Sequence, residues 1–386
     1  MWINLRILRW TRAATAVLIS GAGTSRRRRR VAHDYLMTES LEQRCVLTVS
    51  QGWASILQPD GKEIVVGSAL NPDSGDTDFS IARLNTDGTL DTTFNGDGKV
   101  LVPFNLLGPA GGDDVATCLA IQADGKIVVG GSAQRSVNGD YDFAVARINF
   151  DGTLDSSFGN GGLTTIGFQA GGSLEDRATG VAVAPDGRIV VGGWAAKSAS
   201  GNTDFAVVRL DASGSIDETF GSAGKKLIAF NAGGAGADKA NGLVVQPDGR
   251  IVLAGSAQMS KRGDYDFAIA RLNVTGTMDK SFAGSGKRTV SFNLGGNRDD
   301  EATSVALQGT NIVLGGYATR DLLGNEDFAA VRLLKNGNLD RSFNQNGRQT
   351  ANFDIGGTLQ DRAFSIASTS DGRLVLAGFS EISDGG

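Results

Sequence analysis

The chain has 386 residues, 40% of them hydrophobic, with 55 Gly against 6 Pro and a formal net charge of −5. That apolar content is enough to bury a core, which excludes wholesale disorder; the glycine excess argues against helices, where each interior Gly costs about 1 kcal/mol relative to Ala. Nine arginines against Asp34, Glu39 and Glu42 give residues 1–50 a net +6 and leave −11 on residues 51–386, a balance with no electrostatic footprint for nucleic acid.

Residues 13–23 form a short apolar run behind Arg6, Arg9 and Arg12. It is too short for a bilayer, which needs about 20 apolar residues, so no transmembrane segment is expected. A basic segment before such a run fits a secretory signal, although the Arg26–Arg30 block behind it is atypical. That block, followed by Leu41-Glu42-Gln43-Arg44-Cys45-Val46-Leu47, resembles the export leader of planctomycete surface and secreted proteins. The resemblance implies an exported protein, extracellular or at the cell surface. Residues 1–50 are accordingly expected to be a basic, largely disordered leader.

From residue 51 the chain repeats. Six hairpin signals recur: Gln58-Pro59-Asp60-Gly61-Lys62, Gln122-Ala123-Asp124-Gly125-Lys126, Ala184-Pro185-Asp186-Gly187-Arg188, Gln246-Pro247-Asp248-Gly249-Arg250, a degenerate Leu307-Gln308-Gly309-Thr310, and Thr369-Ser370-Asp371-Gly372-Arg373. Pro-Asp-Gly between apolar runs is a turn with a mechanism, because Pro presets φ and Gly supplies a positive φ. Each of the first five hairpins is followed by an Asp-Phe strand, beginning at residues 78, 142, 204, 266 and 327. A turn, a Leu-Asp-x-x-Phe motif or close variant, a Gly-rich bend and a strand closing on Phe104, Phe168, Phe230, Phe292 or Phe353 complete the unit.

Each unit therefore holds four short strands, a to d, whose faces are both apolar or small. That suits sheets packed on neighbours at both faces. The expected fold is all-β: a β-propeller of four-stranded blades, five complete units (51–110, 111–172, 173–234, 235–296, 297–357) plus a sixth half unit (358–386). A solenoid is the structural alternative. The sequence stops before a sixth Asp-Phe strand, which is read as a fragment of a longer array or as a ring closing on a sixth blade of two or three strands, with Cys45–Ser50 supplying one edge strand at most.

The linked motifs Ala-x-x-Val-Ala-x-x-Pro-Asp-Gly-Lys/Arg, Asp-Phe-Ala-Val/Ile-x-Arg-Leu-Asn and Gly-x-Leu/Ile/Met-Asp-x-x-Phe resemble the bacterial delta-60 repeat, a β-propeller domain of unknown function. The resemblance spans residues 51–380. It implies a propeller on exported proteins and no known activity.

The chemistry open to the array is narrow. The only histidine, His33, precedes it, which excludes Ser-His-Asp, Cys-His and His-metal sites within it. Cys118 stands where other copies have Gly or Ser and reads as a small buried residue. Quinone-cofactor propellers carry a Trp in each blade, whereas only Trp53 and Trp194 lie in the array. Carboxylates remain. The b–c loops carry Asp76/Asp78, Asp140/Asp142, Asp204, Asp264/Asp266 and Asp327; the d–a loops carry Asp114, Asp176, Asp238, Asp300 and Asp361. A ring of the latter five is the candidate Ca²⁺ site, against the reading that each Asp caps its own turn. No other cofactor is expected. Arg83, Arg147, Arg209, Arg271 and Arg332 recur on strand c and need partners if buried; Asp91, Asp155, Asp217, Asp279 and Asp340 are the candidates.

Two functions are compatible with these residues. The first is a non-enzymatic exported module whose partner is an unknown protein or glycan. The second is a carboxylate-based glycoside hydrolase or lyase. No catalytic residue is assigned. The departures from the repeat, Trp194, the Leu106-Leu107-Gly108-Pro109 insertion and the Gln308-Gly309 turn, do not assemble a site in the sequence.

Overall fold

The computed structural model describes residues 12–19 and 51–381, apart from the loops 109–110, 169–174, 198–201, 231–235, 261–263, 296–298, 323 and 354–359. The arginine block, the Leu41–Leu47 signature, His33, Cys45, Pro109 and the last five residues lie outside them. The array is all-β, with five sheets of four antiparallel strands paired in chain order. In the third blade the strands are Asp176–Val183 (a), Ile189–Ala196 (b), Thr203–Leu210 (c) and Lys225–Ile228 (d). Strand d ends two residues before the closing Phe, so that Phe belongs to the loop.

Local chemistry sets these boundaries. In the first hairpin Gly61 N–H donates to the Gln58 carbonyl at 2.9 Å, Gln58 N–H donates to the Lys62 carbonyl at 2.7 Å, and Gly61 sits at φ +84°. An L side chain rarely adopts that φ, which is why Asp-Gly recurs there. The Gly-Gly doublets of strand b, Gly130-Gly131, Gly192-Gly193 and Gly315-Gly316, have a different cause. Strand a carries a one-residue bulge opposite strand b in every blade, as between Ala178 and Gly180. A Cβ at Gly193 would lie 1.9 Å from the Arg177 carbonyl oxygen. Gly193→Ala is expected to cost about 1–3 kcal/mol by overpacking, read as a lowered urea midpoint with the m-value unchanged.

Sheets stack face to face. The b–c face of the first blade (Ile64, Val66, Phe79, Ile81) packs on Ile127, Val129, Ala144 and Ala146 of the second. The same join recurs at each following junction, ending with Val313, Phe328 and Ala330 against Ala363, Leu374 and Leu376. Among the described residues no apolar cluster joins the sixth sheet to the first. Their outward faces show it: Leu57 is 70% exposed and Phe364 55%. Glu63 stands on that first face where later blades place the buried Ile127, Ile189, Ile251, Ile312 and Leu374.

The sixth sheet has three strands. Its own pair is Asp361–Ser368 and Leu374–Glu381, and Arg12–Ile19 pairs antiparallel with the latter, Ile19 opposite Leu374. It takes the edge that strand c takes in complete blades. The leader reading of residues 1–50 did not anticipate a strand there; the missing c strand leaves a row of unpaired backbone groups that an apolar, β-branched segment can satisfy.

Candidate functional site

The two ends of the blades carry different chemistry. At the a–b and c–d turns Arg83, Arg147, Arg209 and Arg271 are buried and Arg332 is partly so, and each meets its expected aspartate: Arg83 Nε to Asp91 Oδ2 at 2.6 Å, Arg147 to Asp155 at 2.7 Å, and Arg209, Arg271 and Arg332 to Asp217, Asp279 and Asp340 at 2.8 Å. The same carboxylates take the hairpin cation, Lys62 at 2.7 Å, Lys126 at 2.9 Å, Arg188 at 3.3 Å and Arg250 at 3.1 Å. In the fifth blade, whose hairpin is degenerate, Asn311 Nδ2 donates instead at 3.4 Å. Each guanidinium also lies over the Phe of its Leu-Asp-x-x-Phe motif or close variant, as Arg147 over Phe158 at 4.6 Å. Its Nη1 then crosses to the next blade, donating to the carbonyls of Phe150, Ala212, Val274 and Lys335 in turn. Arg332 instead donates within its own blade, to Gln308 Oε1 at 3.1 Å. Burial alone would raise the aspartates, but bonds from Lys62, Thr93 and Arg83 outweigh it and hold Asp91 well below the usual carboxylate range; Asp155 behaves alike.

At the b–c and d–a loops the five candidate Ca²⁺ residues are each 1–3% exposed. Oδ2 of Asp114, Asp176, Asp238, Asp300 and Asp361 accepts the N–H of Phe104, Phe168, Phe230, Phe292 and Phe353 at 2.7–2.8 Å. Each therefore latches the end of one blade to strand a of the next. No group of three or more His, Cys, Asp or Glu able to hold a metal occurs among the described residues. Desolvation pushes Asp114, Asp176 and Asp300 up to about 7. The b–c carboxylates are held locally: Asp78 by Asn71 at 2.6 Å, Asp140 by Arg135 at 2.6 Å, Asp204 by Lys197 at 3.0 Å. Cys118 is buried with its thiol pushed up to about 12, as a packing residue requires.

At this loop end the positions of Tyr141, Arg177 and Trp194 differ from blade to blade, with Asn241 a further departure in the fourth, and the structure brings these side chains together across blade junctions. Arg177 of the third blade lies 3.5 Å from the ring centroid of Tyr141 in the second. Lys239 of the fourth lies 4.4 Å from Trp194 of the third. At the fifth, Tyr317 donates its hydroxyl to Glu301 Oε2 at 2.7 Å, Asn241 donates to Glu301 Oε1 at 2.8 Å, and Arg362 of the sixth covers Tyr317 at 4.6 Å while pairing with Glu326. These side chains are half-buried or exposed, except the buried Glu326. Trp194 was visible in the sequence as a departure; its partners were not, because they lie on other blades.

Repeated four-stranded antiparallel sheets stacked face to face in succession, with strand a against strand a, are the arrangement of propeller blades. The chain belongs to the family described as a domain of unknown function (DUF5122) β-propeller, which matches residues 58–94, 122–158, 184–220, 246–282 and 311–343. A search of curated proteins returns no match. Solved structures with a similar arrangement include the polysaccharide lyase Uly1, 11% identical over 85% of this chain and 77% of that one, with a TM-score of 0.44. Bacillus subtilis arabinanase Arb43A is 14% identical over 74% and 96%, TM-score 0.37. The Fusarium graminearum α-L-arabinofuranosidase is 8% identical over 85% and 93%, TM-score 0.43. No helix among the described residues is long and apolar enough to cross a membrane.

Proposed function

We propose that the chain is an exported, non-enzymatic propeller module that binds an extracellular protein or glycan through the loop end of its blades. The observation that carries this reading is the contrast between an almost invariant frame and three variable positions that gather aromatics, cations and amides on one rim. A half-buried ring beside charged hydrogen-bonding groups suits a saccharide, whose CH face packs on the aromatic while its hydroxyls meet the polar groups. Each d–a carboxylate of the same end commits one oxygen to a latch, and Asp140 and Asp204 are ion-paired, which favours binding over acid–base turnover.

A glycan array probed with the full chain tests this. Trp194→Ala is expected to lower affinity at least tenfold, about 1.4 kcal/mol, with the melting temperature unmoved; turnover abolished by a single Asp substitution would sink the non-enzymatic reading. Because the d–a aspartates serve as latches, chelator is expected to leave the melting temperature unchanged, whereas a stabilising shift with added Ca²⁺ would restore the metal site. Export is checked by N-terminal sequencing of protein recovered from medium, expected to begin beyond Leu47; cleavage there leaves the sixth sheet with two strands.

A further inference from the structure

At the turn end, opposite the rim, the fifth blade departs from the repeat. Only Gln308-Gly309-Thr310-Asn311 separate Leu307 from its partner Ile312, whereas Gln246–Arg250 fill the fourth hairpin. The shortened hairpin opens a cleft of 470 Å³ against its neighbour, compared with 240 Å³ between the third and fourth hairpins. We propose that this cleft is a second binding site, for an acidic saccharide presenting a carboxylate beside ring hydroxyls.

Gln246, Asp248, Arg250, Arg271, Thr310 and Lys335 are among the residues that line it. Gln246 is 8% exposed, yet its Oε1 meets no protein donor. A buried amide oxygen in a polar cleft calls for a donor from outside, and a sugar hydroxyl supplies one. The same orphan recurs at Gln58 and Gln122, so the amide alone does not single out this junction. The short turn and Lys335 do. Lys335 stands where earlier blades carry Thr86, Phe150, Ala212 and Val274. Its carbonyl is fixed by Arg271 Nη1 at 2.5 Å. Arg250 pairs with Asp248 and Asp279, and Arg271 with Asp279; the Lys335 ammonium has no carboxylate partner among the described residues. The cleft lining thus carries one cation in excess, together with a buried amide and a threonine. An anionic sugar satisfies all three.

The site uses none of the rim residues, so the two readings fail separately. Titration calorimetry of the full chain with oligogalacturonate, a sulfated oligosaccharide and a neutral oligomer of equal length decides it. Oligogalacturonate is expected to bind, with affinity falling at least tenfold in Lys335→Glu and severalfold in Gln246→Leu, while Trp194→Ala leaves it unchanged; the neutral oligomer is expected not to bind. Lys335 is exposed, so its substitution tests the site without threatening the fold. Equal binding of the sulfated oligomer overturns the carboxylate assignment. Binding insensitive to Lys335→Glu but lost in Trp194→Ala overturns the cleft and leaves the rim reading standing. Absence of binding by any of the three oligomers overturns the proposal.

Discussion

Arg209→Met is expected to destabilise the array by about 3–5 kcal/mol, the usual cost of removing one partner from a buried pair. The substitution keeps the packing volume but removes three bonds at once. Asp217, 9% exposed as a side chain, keeps the Thr219 bonds on Oδ1 but is left with the hairpin cation Arg188, at 3.3 Å, as its one charged partner on Oδ2 among the described residues. The Val274 carbonyl in the next blade loses its donor, and so does Thr219 Oγ1. The face of Phe220 loses its guanidinium cover. Arg209→Lys is expected to recover little, since one ammonium cannot span Asp217, Thr219 and Val274 in the fixed fork that guanidinium offers. Arg332→Met should cost less, because its side chain is 14% exposed and its acceptor is a side chain of its own blade. Urea unfolding of the three variants measures these differences. Equal midpoints for Arg209→Met and the parent would show that the stitch adds nothing to stability.

Stability is expected to fall as pH rises from about 4 to 7. Asp114, Asp176 and Asp300 titrate near 7 in the folded chain, well above the 3.8 of an unburied aspartate, because burial disfavours the anion. In that interval the folded state holds protons that the unfolded state has released, so stabilisation present below 3.8 is lost as pH climbs through 7. Two backbone N–H donors on Asp114, from Phe104 and Gln134, favour its anion and moderate the effect; on the order of 2–4 kcal/mol for each group is expected. The turn-end aspartates act oppositely. Asp91, Asp155, Asp217, Asp279 and Asp340 are depressed, so their contribution is present above the unfolded value and lost as pH falls through the folded one. The melting temperature should therefore peak in mild acid. Asp114→Asn, Asp176→Asn and Asp300→Asn should flatten the alkaline limb while leaving the acid limb in place. A triple variant with an unaltered alkaline limb would rule out these latches as its source.

The repeat itself was legible because each of its motifs answers a local physical demand. Asp-Gly is where a hairpin needs positive φ, and a lone Arg inside a strand needs an anion, supplied eight residues later. What reaches across a blade junction was not legible. The acceptors of the Arg Nη1 atoms are backbone carbonyls, which leave no mark on residue identity, so Thr86, Phe150, Ala212, Val274 and Lys335 vary freely at that position. The hairpin Lys or Arg was a missed signal: it recurs with every intact Asp-Gly turn and is replaced by Asn311 where the turn degenerates. Recurrence of the d–a aspartates pointed to one role per blade, and each bonds the N–H of its closing Phe. The rim pairs were hidden for another reason. Tyr141 with Arg177, and Trp194 with Lys239, sit 36 and 45 positions apart, spacings that no local pattern encodes.

The four arginine stitches between blades point one way along the chain, and this gives synthesis a direction. Arg83 leaves the ribosome 67 residues before the carbonyl of Phe150, several seconds earlier at roughly 5–20 residues per second. As each of the first four blades emerges, its guanidinium lacks an acceptor that has not yet been made, so each of these four is finished by its successor.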